Sequence, residues 1–328
     1  MPKIEITKLQ ANGAGYLLVE RSAVGTAGLS RFARAACDLQ GLVGGEGIVY
    51  VASSRSAYCA VEVYTPKGTL QSFSMNAAVA AAIYNYRRFG RTPVQVALPS
   101  GSYAVSLARQ PGNTCLCHIK GIEIAAGDDS LWSRLADWLV HSSYDRTVRS
   151  SQLIKVGREN WILDVPHVSD RRLITLAKDV AVDLPAAANV PISMMYRLTS
   201  RQAFLRTFVP TGHGLVTSCT GSAVAAAAAL SSDVPDHAGQ IDLQICGPSG
   251  ATTVTMDATP DRLTAGVDVK GARIYDGLVS WDGSQFEGMM EGDVDLEALM
   301  TLGDQADEEI QSAQASRHYT PLPKGDGS

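Results

Sequence analysis

Two stretches of the sequence that could carry acid–base chemistry are near-copies of each other. Ser74–Ala82 reads Ser-Met-Asn-Ala-Ala-Val-Ala-Ala-Ala, and Cys219–Ala227 reads Cys-Thr-Gly-Ser-Ala-Val-Ala-Ala-Ala. The offset of 145 residues (219 − 74) sets Ser74 opposite Cys219. A chain built from two copies of one unit can present two equivalent groups to one substrate, as the removal and return of a proton on a carbon requires.

Cys219 lies in a setting that suits this chemistry. Thr217–Ser222 is a run of small residues, whose backbone can approach a ligand closely. A helix starting after Cys219 directs unpaired N–H groups and the positive end of its dipole outward, which favours a carboxylate and a thiolate. Cysteine is a poor N-cap, and its common structural role is burial as a small apolar side chain. We interpret Cys219 as the principal acid/base, with Ser74 facing it.

Ser74 also fits an ordinary structural role, because serine before a helix is a common N-cap. The first amides of the two helices are the expected ligands of a substrate carboxylate. They belong to Met75, Asn76, Thr220 and Gly221.

The elements that would position these groups repeat in the two halves of the chain. Each half reads as two strands, a helix, two strands, the helix after Ser74 or Cys219, and a strand pair joined by Pro-Ser-Gly. This shared order is much harder to obtain by chance than one alanine-rich match. In the first pair, Ser100-Gly101 is predicted at the centre of the turn, and Pro248-Ser249-Gly250 repeats it.

The predicted first half has strands 4–9, 16–19, 48–52, 60–64, 94–98 and 103–107 and helices 29–40 and 76–88. The second half has strands 153–156, 161–165, 192–198, 203–208, 241–246 and 252–256, helices 170–177 and 221–230, and a loop over 209–218. A further helix begins near Asp129 and carries Trp132 and Trp138.

Composition excludes several classes of function. The chain has 328 residues, 45% of them hydrophobic and 19% charged, which is enough for two ordinary globular domains. A net charge of −5 gives no electrostatic reason to expect nucleic acid or an anionic membrane as a partner. The charged start Lys3–Lys8 lacks the apolar core of a signal peptide, so a cytoplasmic location is expected.

Other candidate sites give weaker signals. Six cysteines in a chain of 328 residues do not form a disulfide framework. Cys115 and Cys117 are one residue apart in a strand-like run, which argues against zinc. The glycine-rich run Gly41–Gly47 lacks the strand, helix and acidic residue of a dinucleotide site. We therefore expect neither a metal nor an organic cofactor.

The residues resemble the diaminopimelate epimerase family over roughly 3–279. Lys8–Tyr16 takes the place of the family's opening motif, and Phe73–Ala78 lies where Cys-Gly-Asn-Gly-Ala is expected. Ser218–Ala223 is close to the second catalytic motif, Ala-Cys-Gly-Ser/Thr-Gly-Ala, and Ala272–Gly277 is similar to the terminal strand. The resemblance implies cofactor-independent isomerase chemistry with one catalytic cysteine from each domain.

The resemblance also implies an α/β (α+β) fold of two pseudo-symmetric domains. Each is a mostly antiparallel sheet wrapped around a central helix, with the active site in the cleft between them. The expected domains are 1–125, joined by a returning strand at about 265–280, and 126–264. Residues 281–328 are expected to form an acidic helix over 293–314 and a flexible tail.

This sequence departs from the family pattern at both ends of the substrate. Ser74 replaces the first catalytic cysteine, and a hydroxyl is a far weaker acid than a thiol. An unequal pair led by Cys219, with Ser74 as a weak donor or a positioning group, fits a one-base reaction. Ser74 could also be an engineered change that silences a two-thiol racemase. The family's distal Asn and Glu-Arg groups map to Ala14, Thr65, Arg158, Asn189, Pro210 and Thr211.

Only Asn189 keeps the residue that the family has at these distal places, so diaminopimelate is an improbable substrate. Arg158 and His213 are new polar groups that could bind a different distal group, such as a second carboxylate. An arginine in a loop is also commonly a solvated surface residue.

The resulting hypothesis is an isomerase that moves a proton on the carbon next to a carboxylate. A double-bond shift or an epimerisation of a small, amino-acid-like acid of secondary metabolism, such as antibiotic biosynthesis, is favoured. A lyase that eliminates a β-hydroxyl with the same Ser/Cys pair and a non-catalytic binding protein are the alternatives. The expected partner is a small carboxylate, and a homodimer is allowed.

Overall fold

The structure is a computed structural model that describes residues 3–37, 45–110, 114–211, 214–232, 239–259, 262–281, 286–294 and 319–320. The chain divides into two compact units. Unit 1 consists of Met1–Ile122, Thr211–His213 and Ala265–Gln305, and unit 2 of Glu123–Pro210, Gly214–Thr264 and Ala306–Ser328. The sequence analysis placed these boundaries at 125/126 and 264/265.

The strands and helices follow the chain in this order. The strands are β1 (Lys3–Ala11), β2 (Ala14–Glu20), β3 (Gly47–Arg55), β4 (Tyr58–Tyr64), β5 (Leu70–Gln71), β6 (Val94–Leu98), β7 (Gly101–Arg109), β8 (Thr114–Ala126), β9 (Ser150–Val156), β10 (Arg158–Asp164), β11 (Val168–Ser169), β12 (Ile192–Arg197), β13 (Gln202–Val209), β14 (Gly214–Val216), β15 (Gly239–Gly247), β16 (Gly250–Thr259), β17 (Arg262–Trp281), β18 (Phe286–Val294) and β19 (Tyr319–Thr320). The helices are α1 (Arg21–Val24), α2 (Leu29–Ala36), α3 (Met75–Phe89), α4 (Asp129–His141), α5 (Asp170–Asp183) and α6 (Thr220–Ser231).

In unit 1 the strands surround helix α3. Their pairing runs β17–β1–β2–β3–β4–β6–β7–β8 and returns from β8 to β17. The alanine run of α3, from Ala77 to Ala82, is fully buried. Alanine has the highest helix propensity and the smallest side chain after glycine, so the strands can pack closely around this helix.

Unit 2 repeats this order around helix α6. Its strands pair as β8–β9–β10–β12–β13–β15–β16. The parallel pairs β10–β12 and β13–β15 correspond to β2–β3 and β4–β6 of unit 1. All twelve residues of α6 are buried, which is why its sequence shows no polar face. The prediction of two similar α/β units, each a sheet around a central helix, is confirmed.

The outer faces of the sheets carry the remaining apolar clusters. In unit 1, Phe32 of α2 packs on the sheet with its ring centroid 5.2 Å from that of Trp281. In unit 2, helices α4 and α5 pack on a cluster around Trp161, which is fully buried. Trp132 and Trp138 of α4 are partly buried against this cluster, as a core role predicts.

The hairpin turns differ from the sequence prediction by one residue. Leu98 pairs with Gly101 and Gly247 pairs with Gly250, so the central turn residues are Pro-Ser and not Ser-Gly. Proline fixes φ near −65°, which suits the first central position of a turn. The positive φ values of Gly101 and Gly250, 150° and 109°, lie at the first residue of the second strand.

Three other segments differ in extent. Helix α5 continues to Asp183, because Leu176, Ala177 and Val180 keep its buried face going past the predicted end at 177. The predicted loop 209–218 contains the short strand β14. The acidic helix expected over 293–314 lies outside the described residues except for 293 and 294, which belong to strand β18.

Among the described residues, no helix combines the length and the apolar character that crossing a bilayer requires.

Candidate functional site

Ser74 is the N-cap of α3 in unit 1. Its backbone is extended, and its Oγ accepts a hydrogen bond of 3.2 Å from the amide of Ala77. The hydroxyl of Tyr16 lies 3.1 Å from the same Oγ. The capping role considered in the sequence analysis is therefore present, and a phenol is paired with the serine hydroxyl.

The Asn12-Gly13 turn places Tyr16 in this position. Asn12 and Gly13 both have positive φ, 50° and 82°, and join β1 to β2 in a two-residue hairpin. Strands that leave such a turn have a fixed register, which pairs Tyr16 with Leu9. The Tyr16 side chain is 7% exposed.

Cys219 is the N-cap of α6 in unit 2, but its side chain makes no cap hydrogen bond. The thiol is free and partly exposed. The helical amide of Ala223 bonds to the carbonyl oxygen of Cys219 at 2.9 Å, so the helix begins at this residue as the sequence predicts. The sulfur is thus held at the start of a helix without being used to close it.

Cys219 Sγ contacts a buried polar chain that begins at Ser222. Ser222 Oγ lies 3.1 Å from Cys219 Sγ and 3.0 Å from Asn160 Oδ1. Asn160 Nδ2 donates to the carbonyl oxygen of Arg158 at 2.8 Å. Ser222 and Asn160 are 0% and 1% exposed.

A buried ion pair supports the segment just before Cys219. Arg206 of β13 bonds to both carboxylate oxygens of Asp170 at the start of α5, at 2.6 and 3.2 Å. A third N–H of Arg206 donates to the carbonyl oxygen of Val216, three residues before Cys219. Because both charged side chains are buried, this pair fixes the end of β14 relative to α5.

A small pocket of about 20 Å³ lies within unit 2 beside Cys219. Its lining, among the described residues, contains no charged side chain. Hydroxyls and thiols alternate with aliphatic groups: Leu205, Thr207, Val216, Thr217, Ser218, Cys219, Ala223, Ile245, Cys246, Gly247, Ser249, Gly250 and Thr252. The second Pro-Ser turn therefore contributes Ser249 to the wall that faces this space.

The four amides assigned to carboxylate binding lie in the first turns of the two helices. Met75 and Asn76 begin α3, and Thr220 and Gly221 begin α6. The first amides of a helix have no intrahelical acceptor, so the geometry suits an anion. All four residues are buried, and none of them lines the pocket beside Cys219.

The described residues assigned to the distal substrate group, Arg158 and Asn189, do not line this cavity. Arg158 begins β10 and joins the polar chain through its carbonyl oxygen. Asn189 is exposed in the turn before β12. Thr65 is buried and caps its own turn, accepting from the amides of Lys67 and Thr69 at 3.2 Å each. His213 lies outside the described residues.

Four other cysteines of the chain are buried, whereas Cys219 is partly exposed. Desolvation raises the pKa of Cys37 and of Cys59 to about 12. The pKa values of Cys115 and Cys117 on β8 are raised for the same reason. These thiols stay protonated near neutral pH, and all four are buried.

Sequence reasoning missed Tyr16, Ser222 and Asn160 as partners of the two N-cap residues. Ser222 could have been found from its spacing, because the third residue after an N-cap faces the cap side chain. Asn160 directly precedes the apolar run Trp161–Leu163 but follows the charged pair Arg158-Glu159, so the sequence does not mark it as buried. Tyr16 gave no signal either, since its partner lies 58 residues away.

Solved structures with the same architecture are known. The chain matches a PhzF-family phenazine biosynthesis protein from Bacillus anthracis with a TM-score of 0.62 and 15% identity, covering 86% of this chain and 100% of that one. It matches a predicted epimerase from Pseudomonas aeruginosa with a TM-score of 0.59 and 13% identity, covering 83% of this chain and 98% of that one. The chain has the diaminopimelate-epimerase-like fold.

A hydroxyproline epimerase from Agrobacterium vitis, solved with trans-4-hydroxy-L-proline, also shares this fold. Its TM-score is 0.56 at 10% identity, with 86% of this chain and 93% of that one covered. No protein-family model and no curated protein sequence matches the chain. At these identities the likeness concerns the fold alone.

Proposed function

We propose that the protein is a cofactor-independent isomerase that moves a proton on the carbon next to a carboxylate. Cys219 is the group that takes or gives the proton, and the first amides of α6 hold the carboxylate. The carrying observation is that Cys219 Sγ lies at the start of α6, partly exposed, beside a cavity and without a cap bond.

The physical basis is the shared position of the thiol and the helix amides. A carboxylate bound to the first amides of α6 places its neighbouring carbon within reach of the residue before them, which is Cys219. Negative charge that develops on the carboxylate during proton removal meets the positive end of the helix dipole. The same helix end favours the thiolate that must act as the base.

The cavity supports a substrate whose remaining part is small and uncharged. A buried charge without an opposite partner is strongly unfavourable, and the described lining offers none. Diaminopimelate carries a second charged amino-acid end, for which the described lining offers no partner. A small cyclic or aliphatic amino-acid-like acid with an uncharged side chain needs no such partner and could bond to Thr207, Ser249 or Thr252.

Two of the similar solved structures indicate which kinds of reaction the proposal covers. One of these neighbours is a hydroxyproline epimerase solved with trans-4-hydroxy-L-proline, and another is a phenazine biosynthesis protein. The phenazine biosynthesis neighbour supports our proposal that the substrate belongs to secondary metabolism. Ser74, already engaged with Tyr16 and Ala77, is proposed as the weaker partner of an unequal pair.

The experiment is hydrogen exchange in D2O followed by proton NMR on a panel of small carboxylic acids. The panel holds proline and hydroxyproline isomers, linear 2-amino acids and β,γ-unsaturated acids. Loss of the signal next to the carboxylate, with no mass change beyond deuterium uptake, supports the isomerase. Cys219→Ala should abolish the exchange, and Cys115→Ala, which removes a thiol of β8 outside the cavity, should keep it.

Loss of water from a hydroxy acid, detected by mass spectrometry, would instead establish the lyase reaction. Absence of exchange on every acid, together with a Cys219 that iodoacetamide does not modify at neutral pH, would identify a binding protein and contradict the isomerase.

A further inference from the structure

The polar chain behind Cys219 has a defined hydrogen-bond direction. Asn160 Nδ2 lies 2.8 Å from the carbonyl oxygen of Arg158, and Asn160 Oδ1 lies 3.0 Å from Ser222 Oγ. Rotating the side-chain amide of Asn160 by half a turn would place its Oδ1 against the carbonyl oxygen of Arg158. Two acceptors would then face each other without a hydrogen between them. The amide oxygen of Asn160 therefore faces Ser222, where it can act only as an acceptor.

This orientation decides the position of the Ser222 proton. A hydroxyl has one hydrogen to donate, and Asn160 Oδ1 can be satisfied only by receiving it. Ser222 Oγ is within donating distance of Cys219 Sγ as well, at 3.1 Å, but while its one hydrogen is on Asn160 it faces the sulfur with a lone pair. The group that can complete this contact is the S–H of Cys219, acting as donor.

Loss of the Cys219 proton would create a second acceptor for the Ser222 hydroxyl. A negatively charged sulfur would attract the Ser222 hydrogen, but the hydroxyl can turn to it only by leaving Asn160 Oδ1. Because Asn160 is 1% exposed, no bulk water replaces the lost bond, and a buried acceptor without a donor is unfavourable. The hydrogen bond between Ser222 and Asn160 thus favours the protonated form of the Cys219 sulfur, whereas the helix dipole favours the thiolate.

We propose that Asn160, acting through Ser222, holds the proton on Cys219 Sγ in the ligand-free protein. Both are positioning residues for the acid/base. When the Cys219 proton passes to a bound substrate, the Ser222 hydroxyl turns from Asn160 to the sulfur and donates to the thiolate that is left. The inference rests on the proposed function for the role of Cys219 alone, and its test uses no substrate.

The first unit lacks this device. The residue equivalent to Ser222 is Ala77 (222 − 145), and its backbone amide donates directly to Ser74 Oγ at 3.2 Å. A hydroxyl N-cap can accept that bond, whereas the thiol of Cys219 instead contacts a side-chain hydroxyl at the same helix position. In unit 1 the N-cap side chain therefore accepts a hydrogen bond from a fixed helix amide. In unit 2 the N-cap side chain contacts a hydroxyl that can turn.

The test is the rate of Cys219 alkylation by iodoacetamide at fixed neutral pH, followed by mass spectrometry of the Cys219 peptide. Alkylation follows the thiolate fraction. Asn160→Leu removes both polar atoms at similar volume and frees the Ser222 hydroxyl for the sulfur. It should raise the rate by about fivefold, the effect of one hydrogen bond of ordinary strength.

Two double variants separate this mechanism from general loosening of the structure. Asn160→Leu with Ser222→Ala should lose the rise, because Asn160 acts through the Ser222 hydroxyl. Asn160→Leu with Ser222→Thr should keep it, because a hydroxyl is retained. An unchanged or slower rate in Asn160→Leu, or the same rise after Ser222→Ala, overturns the proposal.

A second readout does not depend on the folding of Asn160→Leu. The infrared S–H stretch of Cys219, isolated by subtracting the spectrum of Cys219→Ser, should lie at lower frequency in the parent protein than in Ser222→Ala, because a donating S–H bond is weakened. Equal frequencies overturn the proposal. Failure of the proposed isomerase activity would leave both outcomes readable, since neither measurement involves a substrate.

Discussion

At the scale of single residues, the two equivalent N-caps are held in opposite ways. Ser74 Oγ receives a helix amide and contacts Tyr16, so it has a structural role that the sequence analysis already allowed. Cys219 Sγ closes no helix turn and contacts a side chain instead. The sequence predicts this contrast because serine is a good cap and cysteine a poor one.

Ser74→Ala should lower the free energy of unfolding by about 1 kcal/mol, the usual effect of losing an N-cap side chain. The amide of Ala77 loses its acceptor in this variant. Urea unfolding measures the change. Tyr16→Phe, which keeps the cap and removes only the phenol hydroxyl, should lose less. Equal stability of Ser74→Ala and the parent protein would show that the cap bond contributes nothing.

At the scale of secondary-structure elements, buried charge sets the position of the segment before Cys219. Arg206 connects β13, α5 and the carbonyl of Val216 through one side chain. Sequence reasoning placed strands and helices here but not this link, because Arg206 and Asp170 are 36 residues apart and belong to different elements. A single charged residue in an apolar strand is the signal that points to such a partner.

Arg206→Met should destabilise the protein by about 3 kcal/mol or more, because it leaves the Asp170 carboxylate buried without a partner. Replacing both residues, Arg206→Met with Asp170→Leu, should recover a large part of this loss. Urea unfolding of the two variants tests the prediction. A double variant as unstable as the single one would mean that the loss arises from packing and not from the unpaired charge.

The order of elements could be predicted well from the sequence, and their ends less well. The apolar periodicity and the repeated motif give the sequence of strands and helices in both units. The turn centres were wrong by one residue, because the first central position prefers proline and the glycine then begins the next strand. The pairing of β1 with β17 joins residues 260 or more positions apart, and here the family resemblance supplied what periodicity cannot.

At the scale of the whole molecule, the strands of each unit pack around a helix with a buried, alanine-rich centre. This packing leaves several ionisable side chains in the core, including the thiols of Cys37 and Cys59, both 0% exposed. Burial favours their neutral forms and raises their pKa values from 9.0 to about 12. Such a shift links the stability of the fold to alkaline pH.

The free energy of unfolding should fall as pH rises above about 9. The unfolded chain releases these thiol protons near pH 9, whereas the folded protein keeps them up to about pH 12. The stabilisation is therefore complete below pH 9 and decreases between the two values. Each thiol contributes a loss of about 1.4 kcal/mol between pH 8 and pH 10.

Urea unfolding at pH 8, 9 and 10 measures this slope. Cys59→Ala, although less stable at every pH, should show a shallower fall than the parent protein because one of the linked groups is gone. A free energy that is constant from pH 8 to pH 10 would contradict the assignment of buried, protonated thiols.

The measurement that tests the central claim most directly is deuterium uptake from D2O into the carbon next to the carboxylate of a small neutral-tailed acid, compared between the parent protein and Cys219→Ala. The account predicts uptake by the parent protein and a loss of at least a hundredfold in the variant, the usual contribution of a general acid or base being about 10²–10⁴. Uptake that persists at the parent rate in Cys219→Ala would contradict it.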